Sequence, residues 1–558
     1  MDANKRLTLA VALSLLVLLV YQIAFGPEPP QAEAPEEAAR VEGEAQPERQ
    51  GVEAAPRPRA DEPERTARIE TEAVHLLFSS RGAGIRGAEL QGPKGRRQGE
   101  DAEQVNLAEG LQPSDPPLFA LVTGGGLPEL DGLHPCSLAG ASEKEVRFRC
   151  AEGALQVEKV FRVDGARTLR LEATLRNVGT QSLEGWVELL VPARIDPAQT
   201  GGGGCGFSGR VDYPTRMVCR HGDDLTTQAF DPSEPVRRLG GPAAFGGIEE
   251  RFFLAVATPL MPRIATSCEL ASGEGRIETR LRSQVGRIAA GDAVRMQWEL
   301  VLGQKEMGFL QAVSERVAGE AQIANPRLDE TVDLGFWAAI ARILLWLLRL
   351  FHGLVPNWGV AIILLTVLVK VLTLPLSWKS MKSMEEVRKL APEIEALKKK
   401  YGEDREKLNL EMMALYQRHK VNPLGGCLPM LIQMPIWIAL YTTLLSSVEL
   451  YNEPFIRGWI SDLTSKDPWY LLPLAMGLTM FLTQKMQPMQ VDATQQKILL
   501  YFMPVFFTLI MLNLPAGLTL YIFTNNVLSI GQQLGLRRLM GTEPPAKVVE
   551  ERGKKRKS

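Results

Sequence analysis

A lysine stands where lysines are scarce. Lys370 lies twelve residues into the apolar run that begins at Trp358, about 18 Å along a helix at 1.5 Å per residue. If that run crosses a bilayer from its outer side, the ammonium sits past the midpoint. A charge there costs several kcal/mol unless water or a partner meets it. Thr366, Lys370, Thr373 and Ser377 recur at i, i+4, i+7 and i+11, which puts them on one helix face. A second stripe, Tyr521, Asn525, Ser529 and Gln533, repeats every four residues in another apolar run. Gln433 lies inside a third, between Met430 and Trp437. The chemistry open to such a set is non-covalent: holding water and one positive charge in a cavity inside an apolar layer. Two blander readings compete. Lys370 can snorkel toward the inner headgroups on its long stem, and each polar side chain alone can serve as interhelical hydrogen-bond glue.

Other chemistry finds no residues. The five His are scattered, and no Ser/His/Asp or Cys/His arrangement is visible. None of the six Cys forms a CxxC pair or a zinc spacing. No GxxxxGK[ST] loop occurs, so a nucleotide site is not expected, and neither a catalytic residue, a metal nor a cofactor is assigned. Asp, Glu and His are absent from the five C-terminal apolar runs, which argues against a proton- or ion-coupled transporter. The spacings Cys136/Cys150 and Cys205/Cys219 are compatible with disulfides in an oxidising compartment. The leftover Cys268 weakens that reading and leaves the pairing open.

The elements that must position Lys370 differ sharply between the two halves of the 558-residue chain, whose net charge of −2 hides the contrast. Lys5-Arg6 precede the apolar run Leu7 to Phe25. A cleaved signal peptide is one reading, but Pro27 after the cut disfavours processing, so residues 1–26 read as an uncleaved anchor with its basic end in the cytoplasm. Residues 27–66 are rich in Pro, Glu, Ala and Arg and read as a disordered linker. From 67 to 330 short alternating runs predict strands at Val74–Ser80, Glu145–Cys150, Leu155–Val163, Thr168–Asn177, Trp186–Val191, Arg251–Ala257, Arg276–Leu281 and Val294–Leu302. Leu169, Leu171, Ala173 and Leu175 alternate with Arg170, Glu172 and Thr174, one face inward and one outward. So many antiparallel strands point to a large all-β sandwich, after which Gln304 to Gly335 turns helical.

Beyond Phe336 the chain reads as membrane-embedded. Spans are expected at Trp358–Leu376, Leu428–Leu445, Trp469–Thr483, Ile498–Leu514 and Gly517–Gln533, six with the anchor. Charge sets the topology. The loop from Ser377 to Lys420 holds eleven Lys/Arg and the tail after Leu536 eight, whereas Ser446 to Asp467 holds two against four acids. Cationic loops stay inside, so both termini are cytoplasmic and the β domain is periplasmic. Residues 334–355, with Arg342, Arg349 and His352, would invert that topology if they crossed; they read as an interfacial amphipathic helix. Within the core at 356–536, residues 378–420 form a cytoplasmic helical hairpin, Met381–Lys400 and Asp404–His419. Its charged face is ordinary solvated surface or a dock for a ribosome or targeting factor. The basic tail, 537–558, suits anionic membrane lipids or ribosomal RNA. Met476, Met480, Met503, Phe507 and Met511 on the spans are core packing, or an adaptable surface for varied apolar helices.

The segment Val421–Trp437, VNPLGGCLPMLIQMPIW, closely resembles the YidC/Oxa-type insertase family. Asn357–Leu376, Glu411–Cys427, Asp467–Met486 and Gln495–Asn526 extend the resemblance, in the family's order, over nearly all of the second half. The anchor and large β domain are similar in position to those of the Gram-negative YidC proteins. The resemblance implies a five-helix insertase core whose groove opens to cytoplasm and lipid and carries a cation, usually Arg; here that position is Lys370. It makes Thr366, Gln433 and Tyr521 groove residues, beside Asn525 and Ser529 from the stripe. It makes Met430, Met434, Trp437, Phe502 and Phe506 a hydrophobic slide.

The resulting expectation is an α-helical polytopic inner-membrane protein with six transmembrane helices and a periplasmic all-β sandwich. Its function would be that of an insertase and chaperone, not an enzyme, for nascent membrane proteins, with a Sec-type translocon as partner. A transporter of small molecules or lipids is the alternative and would need a pathway to both faces. A carbohydrate-binding β domain on a mere anchor is a third reading, but no site residues for it are visible.

Overall fold

In the computed structural model the described residues are 63–97, 103–195, 214–273, 275–401, 404–419, 421, 428–486 and 498–540. The expected anchor, the linker as far as residue 62, Cys205 and the tail from 541 lie outside them.

The strands in chain order are β1 (Thr66–Glu70), β2 (Val74–Ser79), β3 (Gly84–Leu90), β4 (Ala120–Gly124), β5 (Ser137–Ala141) and β6 (Glu145–Glu152). Then come β7 (Leu155–Val163), β8 (Thr168–Asn177), β9 (Leu183–Arg194), β10 (Arg216–His221), β11 (Asp224–Gln228) and β12 (Val236–Leu239). The last are β13 (Ala243–Glu249), β14 (Phe253–Pro259), β15 (Thr266–Gly273), β16 (Arg276–Ile288) and β17 (Ala293–Gln304). They form a nine-stranded sheet, β11-β10-β13-β14-β17-β8-β7-β6-β5, a five-stranded sheet, β12-β15-β16-β9-β4, and the small sheet β1-β2-β3. Alternation explains the packing. Leu169, Leu171, Ala173 and Leu175 of β8 lie opposite Leu300, Trp298, Met296 and Val294 of β17. All of these but the half-buried Val294 are shut from solvent in the sandwich core. The Thr279 hydroxyl of β16 donates to the Gly247 carbonyl of β13 at 2.6 Å across the two large sheets.

Two disulfides are present. Cys136–Cys150 is one of the pairs expected from spacing. The other joins Cys219 of β10 to Cys268 of β15 and so bridges the sheets; it replaces the expected Cys205–Cys219 pairing. Sequence proximity was the wrong guide, because the two sheets bring residues 49 apart face to face.

The helices are α1 (Met307–Ala321), α2 (Ala338–Leu354), α3 (Trp358–Lys389), α4 (Ala391–Tyr401), α5 (Arg405–Arg418), α6 (Leu428–Ser446), α7 (Leu471–Met486), α8 (Met503–Met511) and α9 (Ala516–Met540). The π turn Ile498–Phe502 leads into α8. Among the described residues one helix, Trp358–Met384, is long and apolar enough to cross a membrane by length and composition, and Ile498–Met511 is a shorter apolar one. That does not establish six spans. α3 also runs on through Pro375 to Lys389, so the first arm of the expected hairpin is divided between the end of α3 and α4.

The chain after α6 returns to the β domain. Val448 and Tyr451 are buried in the sandwich core, with the Tyr451 ring 4.6 Å from Phe252 and 5.6 Å from Phe253 between centroids. The Tyr451 hydroxyl donates to the Arg96 carbonyl at 2.8 Å, and Arg251 Nε donates to the Leu445 carbonyl at 2.9 Å. An Arg349–Glu449 ion pair joins α2 to the same loop.

Lys159 of β7 is 1% exposed. Its Nζ donates to the carbonyls of Ala83 at 2.5 Å and Phe119 at 2.8 Å, both residues with left-handed backbone, φ 43° and 62°. Such conformations are costly for side-chain-bearing residues, and the amine ties the two segments together. Burial pushes the amine down to about 7. Above that value the folded chain has released a proton that the unfolded chain holds to about pH 10.4, so stability should rise with pH between the two. Lys159→Met should remove this rise. Thermal unfolding of the full chain at pH 6.5 and pH 9.5 checks it: the midpoint difference between the two pH values should be larger in the wild type than in the variant.

Candidate functional site

The apolar helices form an open row. α9 packs against α3 on one side and α7 on the other, α3 packs against α6, and α8 packs against α7. The row thus runs α6, α3, α9, α7, α8, with α6 and α8 at its ends. Close approach makes this possible: a Cβ on Gly477 of α7 would lie 2.0 Å from Thr508 Oγ1 of α8, so only glycine lets these helices meet.

The polar residues gather on α6, α3 and α9. Lys370 is half-buried, and its Nζ donates to Ser529 Oγ on α9 at 2.8 Å. The Ser529 hydroxyl in turn donates to the Asn525 carbonyl at 2.7 Å. One turn further along α9, the buried Tyr521 hydroxyl accepts from Gln433 Nε2 of α6 at 3.0 Å. These bonds connect all three helices. Five of the six expected groove residues therefore take part in two hydrogen-bonded groups along α9, Lys370–Ser529–Asn525 and Gln433–Tyr521. Thr366 behaves differently: it is 1% exposed and its hydroxyl donates to the Ile362 carbonyl of its own helix at 2.7 Å. Thr373 and Ser377 bond back in the same way, a local habit of hydroxyl residues in helices.

Buried amide atoms on α9 and α7 add to the polar groups that the sequence reading singled out. Asn525 Oδ1, Asn526 Nδ2, Gln532 Nε2 and Gln533 Oε1 on α9, and Gln484 Oε1 on α7, have no hydrogen-bond partner among the described residues. Leaving such atoms unpaired costs about 1–3 kcal/mol each, so they suit a place that receives water or another chain. Asn526, Gln532 and Gln484 were not expected. The signal was present in the run Asn525-Asn526 and in Gln532-Gln533, where carboxamides are unusual inside apolar helices.

One end of the row is closed. The loop 447–470 covers the starts of α3, α9 and α7: Phe455 fills the space left by Gly359, where a Cβ would lie 2.0 Å from its ring. Gly517 N donates to the Leu463 carbonyl at 2.8 Å. Asp467 accepts from Trp459 Nε1 at 2.7 Å and Leu472 N at 2.7 Å, fixing the start of α7.

The apolar candidates divide between the two ends of the row. Met434 and Phe502 are exposed, 49% and 57%. Trp437 stacks on Tyr441 at 6.1 Å on α6, and Phe502 on Phe506 at 5.6 Å at the start of α8. Met430 lies in α6, but its side chain is outside the described residues.

Comparison with known proteins covers both halves. The family described as YidC periplasmic domain matches residues 66–347, and that described as 60Kd inner membrane protein matches 350–543. A protein named Membrane protein insertase YidC from Anaeromyxobacter sp. (strain Fw109-5) is 40% identical over 576 residues, covering 98% of this chain and 99% of its own. Its namesake in Anaeromyxobacter dehalogenans (strain 2CP-C) is 40% identical over 552 residues, 95% and 96% of the two chains. The one from Geobacter sulfurreducens is 32% identical over 554 residues, 97% and 99%.

The two kinds of hydroxyl should respond differently to removal. Tyr521→Phe leaves the Gln433 carboxamide without its acceptor and should cost about 1–3 kcal/mol. Thr366→Val keeps the shape and loses only a bond within one turn, so it should change stability by less than about 0.5 kcal/mol. Unfolding of the two variants in detergent micelles measures both.

Proposed function

The chain belongs to the YidC family of membrane protein insertases, and from that membership we propose that it inserts nascent proteins into the inner membrane through a wet groove around Lys370. The observation that carries this reading is the Lys370–Ser529 contact within a polar patch that joins three helices of an otherwise apolar row. The open side of the row, between α6 and α8, is the lateral exit. The closed end, under loop 447–470, faces the periplasm with the β domain, and the groove opens to the cytoplasm.

In this orientation α3, α6, α7, the Ile498–Met511 segment and α9 are the five core spans, and Leu7–Phe25 is a sixth. α2 lies along the outer leaflet. Its Ile343, Trp346, Leu350 and Leu354 are 47–70% exposed and share one face, while Ala341, Leu344, Leu345 and Leu348 are buried. An exposed apolar stripe of this kind suits an interfacial helix. Both termini are then cytoplasmic. The polypeptide partners are a nascent membrane protein and, through the hairpin and basic tail, a ribosome or targeting factor. A Sec-type translocon works beside it.

The mechanism needs no covalent step. Water in the groove shortens the apolar barrier for a client's polar tail, and the Lys370 ammonium attracts acidic side chains in that tail. Met434, Trp437, Phe502 and Phe506, with Met430, offer the emerging apolar segment an adaptable surface. Release into lipid follows because each apolar residue of a helix gains free energy in hydrocarbon.

Charge at one position should decide activity. In liposomes holding the purified chain and a single- or double-span client, Lys370→Arg should insert within about twofold of wild type, because the charge is kept. Lys370→Glu should lose about tenfold or more, the equivalent of about 1.4 kcal/mol. It should also fail to support cells depleted of their own copy. Insertion by Lys370→Glu at the wild-type rate would refute the groove mechanism.

A further inference from the structure

A charged cleft of about 760 Å³ lies where the β domain meets the helices, and insertion leaves it unused. Its volume falls within the roughly 300–1,000 Å³ of small-molecule sites. Trp358, the first residue of α3, lines it, with the His352 imidazole stacked on the indole at 4.2 Å between centroids. Val448 and Glu449, just past the end of α6, line it too. The cleft thus sits at the outer ends of two proposed spans, and α2, which supplies Arg349 and His352, turns its apolar face outward beside it.

Its charges sort possible ligands. Lys94, Arg167 and Arg349 supply three permanent cations. Glu72, Glu306, Glu449 and Glu453 supply four carboxylates. The balance is −1 with His352 neutral and zero with it protonated. The ion pairs Arg349–Glu449, Arg167–Glu306 and Lys94–Glu453 hold most of these groups in place. A guanidinium paired through one N–H still has others to give. Glu72 and His352 take no hydrogen bond or ion pair among the described residues. An anionic ligand would add charge to a wall that is already balanced or negative. A zwitterion adds none and finds both signs.

We propose that this cleft binds the phosphoethanolamine headgroup of an outer-leaflet phospholipid. The phosphodiester lies against Arg349 and His352, next to the lipid-facing side of α2. The primary ammonium, with three N–H donors, lies against Glu72 and Glu453. A quaternary ammonium has no N–H, so phosphocholine forfeits those bonds. The bound lipid would fill the joint between β domain and helices. The proposal rests on the membrane placement of α2 given above.

The test uses the full chain in nanodiscs of equal parts phosphatidylethanolamine, phosphatidylcholine and phosphatidylglycerol, followed by native mass spectrometry of the retained lipids. Wild type should hold one phosphatidylethanolamine, enriched about tenfold over either competitor. Glu72→Gln should reduce the preference over phosphatidylcholine to about twofold, and Arg349→Gln should lose the retained lipid. Equal retention of the three lipids, or none, overturns the proposal, as does an unchanged preference in both variants. A benzophenone side chain at position 354 separates this from the placement of α2. Capture of lipid acyl chains there with no enriched phosphatidylethanolamine refutes the headgroup site alone. No capture refutes the outer-leaflet placement on which it rests.

Discussion

An ammonium ion inside a layer of apolar helices has to be solvated by something, and the helical half of this chain is arranged around that need. Lys370 gives one N–H to Ser529. Its other two find no protein acceptor among the described residues. Ser529 itself is held by the backbone of Asn525, so it cannot be rotated away without breaking a second bond. The helix that carries Ser529 also carries buried carboxamide atoms of Asn525, Asn526, Gln532 and Gln533 that find no partner among the described residues. A tightly packed apolar core would not tolerate such a density of unmet polar groups. A row of helices left open between its ends does, because water or an entering chain can supply the missing bonds.

The closed end depends on a different physical device. The β domain is fastened to the C-terminal end of α6 by a loop whose residues Val448 and Tyr451 are part of the sandwich core. Tyr451 packs between aromatic residues of the β domain while its hydroxyl meets a backbone carbonyl. The β sandwich therefore takes two residues of this loop into its core. On the helical side, Val218, Phe245, Leu254, Val256 and Val301 of the β strands share a cluster with α1, α2 and the first turns of α3. In the proposed orientation this joint keeps the periplasmic end of the groove shut while the cytoplasmic end stays free.

Much of this was readable from residue order alone, and the failures have a common cause. β7 and β8 begin and end where alternation placed them, because along most of each strand a buried face repeats every second residue. β1, β3 to β5, β10 to β13 and β15 were missed: most of these runs are short, and β10 and β13 are buried at consecutive positions, so no alternation appears. The apolar helices were found because length and composition are local properties. The Cys219–Cys268 bridge, the burial of Tyr451 and the cleft beside His352 all depend on which distant segments meet, and spacing does not encode that. Within the site, the periodicity of four placed Tyr521, Asn525 and Ser529 correctly on one face. Periodicity does not tell where a hydroxyl bonds: that of Thr366 turns to its own backbone.

The choice of lysine over arginine sharpens what the groove must do. A guanidinium is weakly hydrated and offers a planar fork that grips a carboxylate in one geometry. An ammonium is a compact, strongly hydrated charge whose three donors turn freely. It loses more on leaving water, so the pocket around Lys370 has to stay wetter than one built for arginine. In return it imposes no orientation on the acid it attracts. The protein contact it makes is to a hydroxyl, which accepts from any direction, and not to a carboxylate, which would neutralise it. Under the proposed mechanism a cation held by Ser529 alone keeps its full charge for the client and releases it without breaking a bidentate bond. Those properties suit a site that must hold many different tails briefly, and they follow from the side chain's chemistry before any particular client is considered.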